Sequence, residues 1–381
     1  MSDKSKTKWA WLIGFGMAIS GIHNLWLTNI TSINGQATLF LPAIGTGIWI
    51  MGALIFITYN YQHIKWGNLY VEIPLILIAL SMGITGFLTD GTFQDKMSPL
   101  FMGISLIGVY AVGKTIGVEL FKAFVPFVVL GSVISIILGI VNPGQYQGGM
   151  ITNYCASAGF LIFGAIVSRF KWQWALILIA LIGVFYIGAL ESVFILGILF
   201  IALIIRKDWN KKLLIIGIPL VILLGLWAVL GYLIPLYEGN LNLVYLWEIV
   251  TGKLPLDFQA MQDLTSGRWN PIVEALNDIR LFGHGYSLST VQGGIVHNIP
   301  LIILHQIGII PAIAWTFVTI YCLFKTKWKY AWIAVIAMSV FDHYLYTQFV
   351  PFVFALAGVS IASTIDNDYI FRGKNEHLSI K

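Results

Sequence analysis

LYVEIPLILIALSMGITGFL, residues 69–88, carries Glu72 as its only charged side chain. A helix rises about 1.5 Å per residue, so a run of this length reaches about 30 Å, the hydrocarbon thickness of a bilayer. Comparable apolar segments recur at 9–27, 38–59, 99–117, 123–141, 151–167, 173–190, 192–205, 213–236, 297–324, 330–345 and 348–364. The alternating pattern of an outer-membrane barrel is absent, so the spans are expected to be helices. The expected fold is an all-α polytopic membrane protein with about twelve transmembrane helices, one integral-membrane domain over 1–381.

Composition leads to the same place. The chain is 58% hydrophobic and 10% charged, with a mean hydropathy of +0.85, too little polar surface to cover a soluble globule of 381 residues. The start, MSDKSKTK, resembles the basic flank of a signal peptide, but no small-x-small cleavage site follows the apolar run, and a retained first helix is expected. Cys155 and Cys322 fall at different depths in this layout and imply no disulfide or metal framework.

Lys and Arg collect in short cytoplasmic connections, and this orients the layout. With the N-terminus inside, all but Lys96, Lys253, Arg268 and Arg280 of the 22 basic residues fall on the inner face. Both termini are then cytoplasmic, and the net charge of +5 reports topology rather than nucleic-acid binding. The longest connection, 237–296, becomes an extracytoplasmic loop with short helices. Its early part, LNLVYLWEIV, is expected to lie along the membrane surface. After Asn270 and Pro271, an N-cap and first-turn pair, Ile272, Val273, Leu276 and Ile279 form a helical stripe that ends at the glycines of LFGHG.

One motif match is a decoy. GVYAVGKT, residues 108–115, satisfies the G-x-x-x-x-G-K-T pattern, but a phosphate-cradling loop needs a preceding strand and a following soluble helix. Here the pattern ends an apolar span, and Lys114 is expected to anchor that span at the inner face. The polar chemistry gathers on the other side. His284, His297 and His343 meet the outer interface, with Arg268 and Arg280 in the adjoining loop. His305, taken along one continuous helix, would lie about 12 Å deeper than His297 and about 80° round it, as a packing or cavity residue. Guanidinium groups beside an apolar bundle suit an anionic, lipid-linked substrate; pairing with Asp263, Glu274 or Asp278 is the structural alternative. No HExxH or clustered carboxylate motif occurs on the outer side, which argues against a metal-dependent transferase.

SGR at 266–268, then a helix, LFGHG at 281–285, HNIPLIILHQIG at 297–308 and DHYLYTQ at 342–348 together resemble the O-antigen ligase and polymerase family. The similarity covers the C-terminal third. It implies metal-independent, inverting glycosyl transfer, without a cofactor, on the outer side of a bacterial cytoplasmic membrane. The donor would be a glycan on polyprenyl diphosphate and the acceptor a sugar, free or lipid-linked. His297 would be the general base and Arg268 would hold the diphosphate, while Asn298 would orient the site. Arg280, His284, Asp342 and His343 would join in substrate binding. The chain departs from the family in three places: Glu191 in GALESVF where many members carry Ser-Arg, Arg280 where Pro is common, and Gln306 where Glu is common. Arg280 would then substitute for the missing second arginine. The rival reading is a multi-pass transporter of a small solute or a lipid-linked glycan. Inorganic-carbon transporters are similar in the same C-terminal region, and Glu72 and Glu119 are the membrane carboxylates such a protein would use.

Overall fold

The computed structural model describes residues 1–20, 40–64, 66–88, 93–124, 126, 248–249, 251–264, 269–285, 296, 298–341 and 350–362. All regular structure among them is helical. In chain order the elements are α1 (Asp3–Ser20), α2 (Phe40–Asn60), a 3-10 turn (Tyr61–His63), α3 (Leu69–Gly86), α4 (Phe93–Ile116), α5 (Phe258–Leu264), α6 (Trp269–Asn277) and α7 (Ile299–Ile302). A π-helical turn (Ile303–Ile307), α8 (Ile309–Lys325), α9 (Lys329–Phe341) and α10 (Val350–Ala362) complete them.

Three helical stretches, Ile44–His63, Leu69–Gly86 and Pro99–Ile116, are long and apolar enough to cross a membrane; α8, α9 and α10 are apolar but shorter. The outward faces of these helices are themselves hydrophobic: Leu69, Ile73, Leu80 and Ile84 of α3 are exposed, as are Ile313, Ile320 and Phe324 of α8. A helix that is apolar all round needs an apolar solvent on the side its neighbours leave open. The chain is therefore a helical membrane protein. The expected spans at 123–141, 151–167, 173–190, 192–205 and 213–236 lie outside the described residues, as does most of LNLVYLWEIV.

The bundle is built by sequential antiparallel packing, α1 on α2 and α3 on α4, with α8 against α3. In lipid the attraction between helices comes from close packing rather than from expelling water, so small residues sit where helices cross. A Cβ on Gly113 of α4 would collide with the Ala355 carbonyl of α10, and one on Gly358 with the Tyr110 carbonyl. The pattern at 108–115 is thus a helix-crossing surface inside α4, with no loop in it. Aromatic rings close the adjoining layer: Phe121 meets Phe352 at 5.0 Å and Trp328 at 6.0 Å between centroids, and Trp332 Nε1 donates to Ser360 Oγ at 3.0 Å.

Lys114, expected from the sequence to anchor its span at the inner face, has a partner inside the bundle. Its ammonium is buried and ion-paired with Glu72 of α3. The same carboxylate accepts from Tyr110 Oη at 3.2 Å and, through its other oxygen, from the Gly67 amide at 2.8 Å. A lone charge here would be costly, and the pair exists because α3 and α4 bring opposite charges to the same level of the bundle. Lys122, by contrast, is exposed and pairs with Glu119.

A correction concerns the segment 297–324, expected as one continuous helix. It is divided. Asn298, in extended conformation, caps α7 by accepting from the Leu301 amide at 3.0 Å, α7 widens into the π-helical turn, and Gly308 (φ 112°) stops it before α8 begins. The depth and azimuth assigned to His305 on a continuous helix therefore do not apply.

Candidate functional site

The break at Gly308 leaves carbonyls that no helical amide reaches, and such groups must find partners within a membrane protein. The turn LFGHG supplies them. His284 N donates to the His305 carbonyl and Gly285 N to the Gln306 carbonyl, each at 3.0 Å, while Ile309 N donates to the Leu281 carbonyl at 3.1 Å. Two glycines make the approach possible. Gly283 (φ 70°) has its α-carbon against the Gln306 carbonyl, where a Cβ would clash, and Gly308 stands likewise against the Leu281 carbonyl. Gly283→Ala combines a left-handed conformation, costing about 1–2 kcal/mol, with a backbone collision. It is expected to lower the thermal midpoint in detergent clearly, whereas Ala at Gly47, which has open space around it, is not.

Side chains reinforce the joint. The rings of His284 and His305 stack with centroids 4.2 Å apart and planes at 21°. His305 is buried, and its Nδ1 has no hydrogen-bond partner among the described residues. His284 Nε2 lies 2.7 Å from the Asp278 carbonyl and 3.4 Å from Asp278 Oδ2. Arg280 grips the same carboxylate with Nε to Oδ1 and Nη2 to Oδ2, both at 3.2 Å. The Arg280 hydrogen bond holds the Asp278 carboxyl below the usual carboxylate range, with the nearby His284 adding to the effect. A lowered carboxylate pKa means the pairing is present at neutral pH and is lost only as pH falls through the acid range. Arg280 is thus an exposed cation paired with Asp278, one of the carboxylates considered from sequence.

Asn298 works on a different contact. Its Oδ1 caps α7, and its Nδ2 donates to the Val340 carbonyl near the end of α9 at 3.3 Å. This ties the start of HNIPLIILHQIG to the helix that leads into DHYLYTQ. Arg268, His297, Asp342 and His343 lie outside the described residues. The residues on either side of His297 are described: Val296 is buried in the core and Asn298 is held as above.

The helix after Asn270 and Pro271 is present as α6, but it includes Asn270, so Asn270 is not its cap. Its buried face is Pro271 and Ala275 with Ile272 beside them, while Leu276 and Ile279 of the expected apolar stripe are exposed. Sequence reasoning also passed over His305 as a site residue. Gly308, directly after HQI, was the available signal, because a glycine there marks a helix stop. Among the described residues no group of three or more His, Cys, Asp or Glu is placed to hold a metal ion.

No family model matches this chain, and no curated protein is significantly similar to it.

Proposed function

We propose that the protein transfers a glycan from a polyprenyl-diphosphate carrier to a sugar hydroxyl on the outer side of a bacterial cytoplasmic membrane, as an O-antigen ligase or surface-polysaccharide polymerase. The carrying observation is that two of the segments whose order bears the family resemblance are joined in space through their backbones. LFGHG is paired through its backbone with HNIPLIILHQIG, and Asn298 reaches the helix that precedes DHYLYTQ. In this reading His297 takes the acceptor's proton, and Arg268 with Arg280 meets the diphosphate, whose oxygens suit guanidinium forks. His284 and Asn298 position the loop and the HN segment, and Asp342 and His343 complete the substrate site. Separate experiments address the site's side and its cation.

A cysteine at Ser289 in a Cys-free protein is expected to react with an impermeant maleimide in cells whose outer envelope has been opened, and one at Asp208 is not, following the charge asymmetry of the loops. Reversed labelling would place the site inside and end the proposal. Arg268→Lys keeps the charge but loses the planar fork, so partial transfer is expected; Arg268→Ala should raise the donor concentration needed for half-maximal rate by about tenfold or more, the scale of one lost charge-assisted hydrogen bond. Wild-type kinetics in both variants would make Arg268 a surface residue.

One observation favours the transporter reading, the buried Glu72–Lys114 pair, because ionisable groups inside membrane bundles often mark ion pathways. Against it, the oxygens of Glu72 are already engaged by Lys114, Tyr110 and Gly67, and the carbonyls at the helix break are engaged by LFGHG. Uptake of solute by the purified protein in sealed vesicles, abolished by Glu72→Gln, would establish transport instead.

A further inference from the structure

We propose that His284 and His305 form a proton-sensitive clasp, which holds the LFGHG turn on the broken helix while the pair carries at most one extra proton and lets go when a second binds.

The carbonyl of Asp278 can only accept, so His284 Nε2, 2.7 Å away, carries a proton. An additional proton then enters His284 at Nδ1, and the Asp278 carboxylate at 3.4 Å balances the resulting imidazolium. His305, stacked at 4.2 Å, presents its ring face to that cation, which an aromatic face tolerates while it is neutral. A second proton has no such place. His305 Nδ1 is enclosed with no acceptor among the described residues, and a cationic ring would face another cationic ring with the Arg280 guanidinium nearby.

Among the described residues, the elements around the pair supply no further counter-charge to His305. The titratable groups acting on His305 are His284, Asp278 and Arg280. Residues 73–86 of α3 and the whole of α7 carry no titratable side chain, and those of α8 are Tyr321, Cys322 and Lys325 at its far end. Glu274 belongs to α6, which packs on α7. Burial, and then the charges of His284 and Arg280, hold His305 below the ordinary histidine value of about 6.5 in the docked turn, a restraint that is lifted when the turn is released. The docked state therefore binds fewer protons than the released one, and docking is fully stable above that pH and weakens as pH falls below it. What the clasp controls is the turn following Arg280, so acid on this side of the membrane would free the loop bearing that cation.

The test uses the full chain in detergent micelles and hydrogen exchange of the amides of His284, Gly285 and Ile309, corrected for the intrinsic pH dependence of exchange. Their protection is expected to fall about tenfold per pH unit below about 6.5, while that of α9 stays level. In His305→Phe, which keeps a stacking ring, and in His305→Gln, which replaces it by an amide, protection should be independent of pH. Flat protection in the wild type, an equal loss in α9, or an acid response that survives in either His305 variant would each overturn the proposal. None of these readouts depends on glycan transfer.

Discussion

Replacing His297 by alanine is expected to lower glycan transfer about 100- to 10,000-fold, the range contributed by a positioned general base. In the proposed mechanism a neutral imidazole takes the acceptor hydroxyl's proton as the glycosyl bond forms, and no other side-chain type in the motif titrates near neutral pH. Buried Val296 and tethered Asn298 bracket the position, so the substitution should leave insertion, folding and donor binding intact. His297→Gln is expected to be as inactive, because glutamine keeps a hydrogen bond but cannot accept the proton. The assay is transfer from purified polyprenyl-diphosphate glycan to acceptor in detergent, with excess EDTA present and His343→Ala measured alongside. Full activity in His297→Ala, or a strict requirement for added divalent metal, would remove the mechanism.

The second large effect concerns stability. Lys114→Met leaves the Glu72 carboxylate buried with Tyr110 and the Gly67 amide but no cation, and breaking a buried pair from one side costs about 3–5 kcal/mol. The thermal midpoint in micelles should fall steeply. Glu72→Gln in the Lys114→Met background removes the orphaned charge while keeping an amide oxygen to accept a hydrogen bond, and most of the loss should return. A single variant as stable as the double would show that the carboxylate is already neutral or solvated. Transfer by the double variant should stay near wild type, since α3 and α4 carry none of the residues assigned to chemistry.

Helix positions were legible because hydrophobicity is a local property. The expected spans 38–59, 69–88, 330–345 and 348–364 correspond to α2, α3, α9 and α10 within a few residues at most ends. The amphipathic helix after SGR was legible as an element, but its buried face was not. Leu276 and Ile279 share the apolar character of Ile272, and only contact with α7 determines which of them is covered.

Charge and hydropathy along the chain, read by themselves, determined a helical membrane protein and concentrated its polar chemistry in the motifs of the C-terminal third. Only the tertiary structure decided that Lys114 is an internal counter-ion, that segment 297–324 breaks at Gly308, and that His284 lies on His305. Each of these depends on a partner distant in sequence: Glu72 forty-two residues before Lys114, and the LFGHG turn for the carbonyls that the break exposes. A buried charge or an unpaired carbonyl is tolerated only where the fold brings up its complement, and that pairing is a property of packed helices rather than of any one segment.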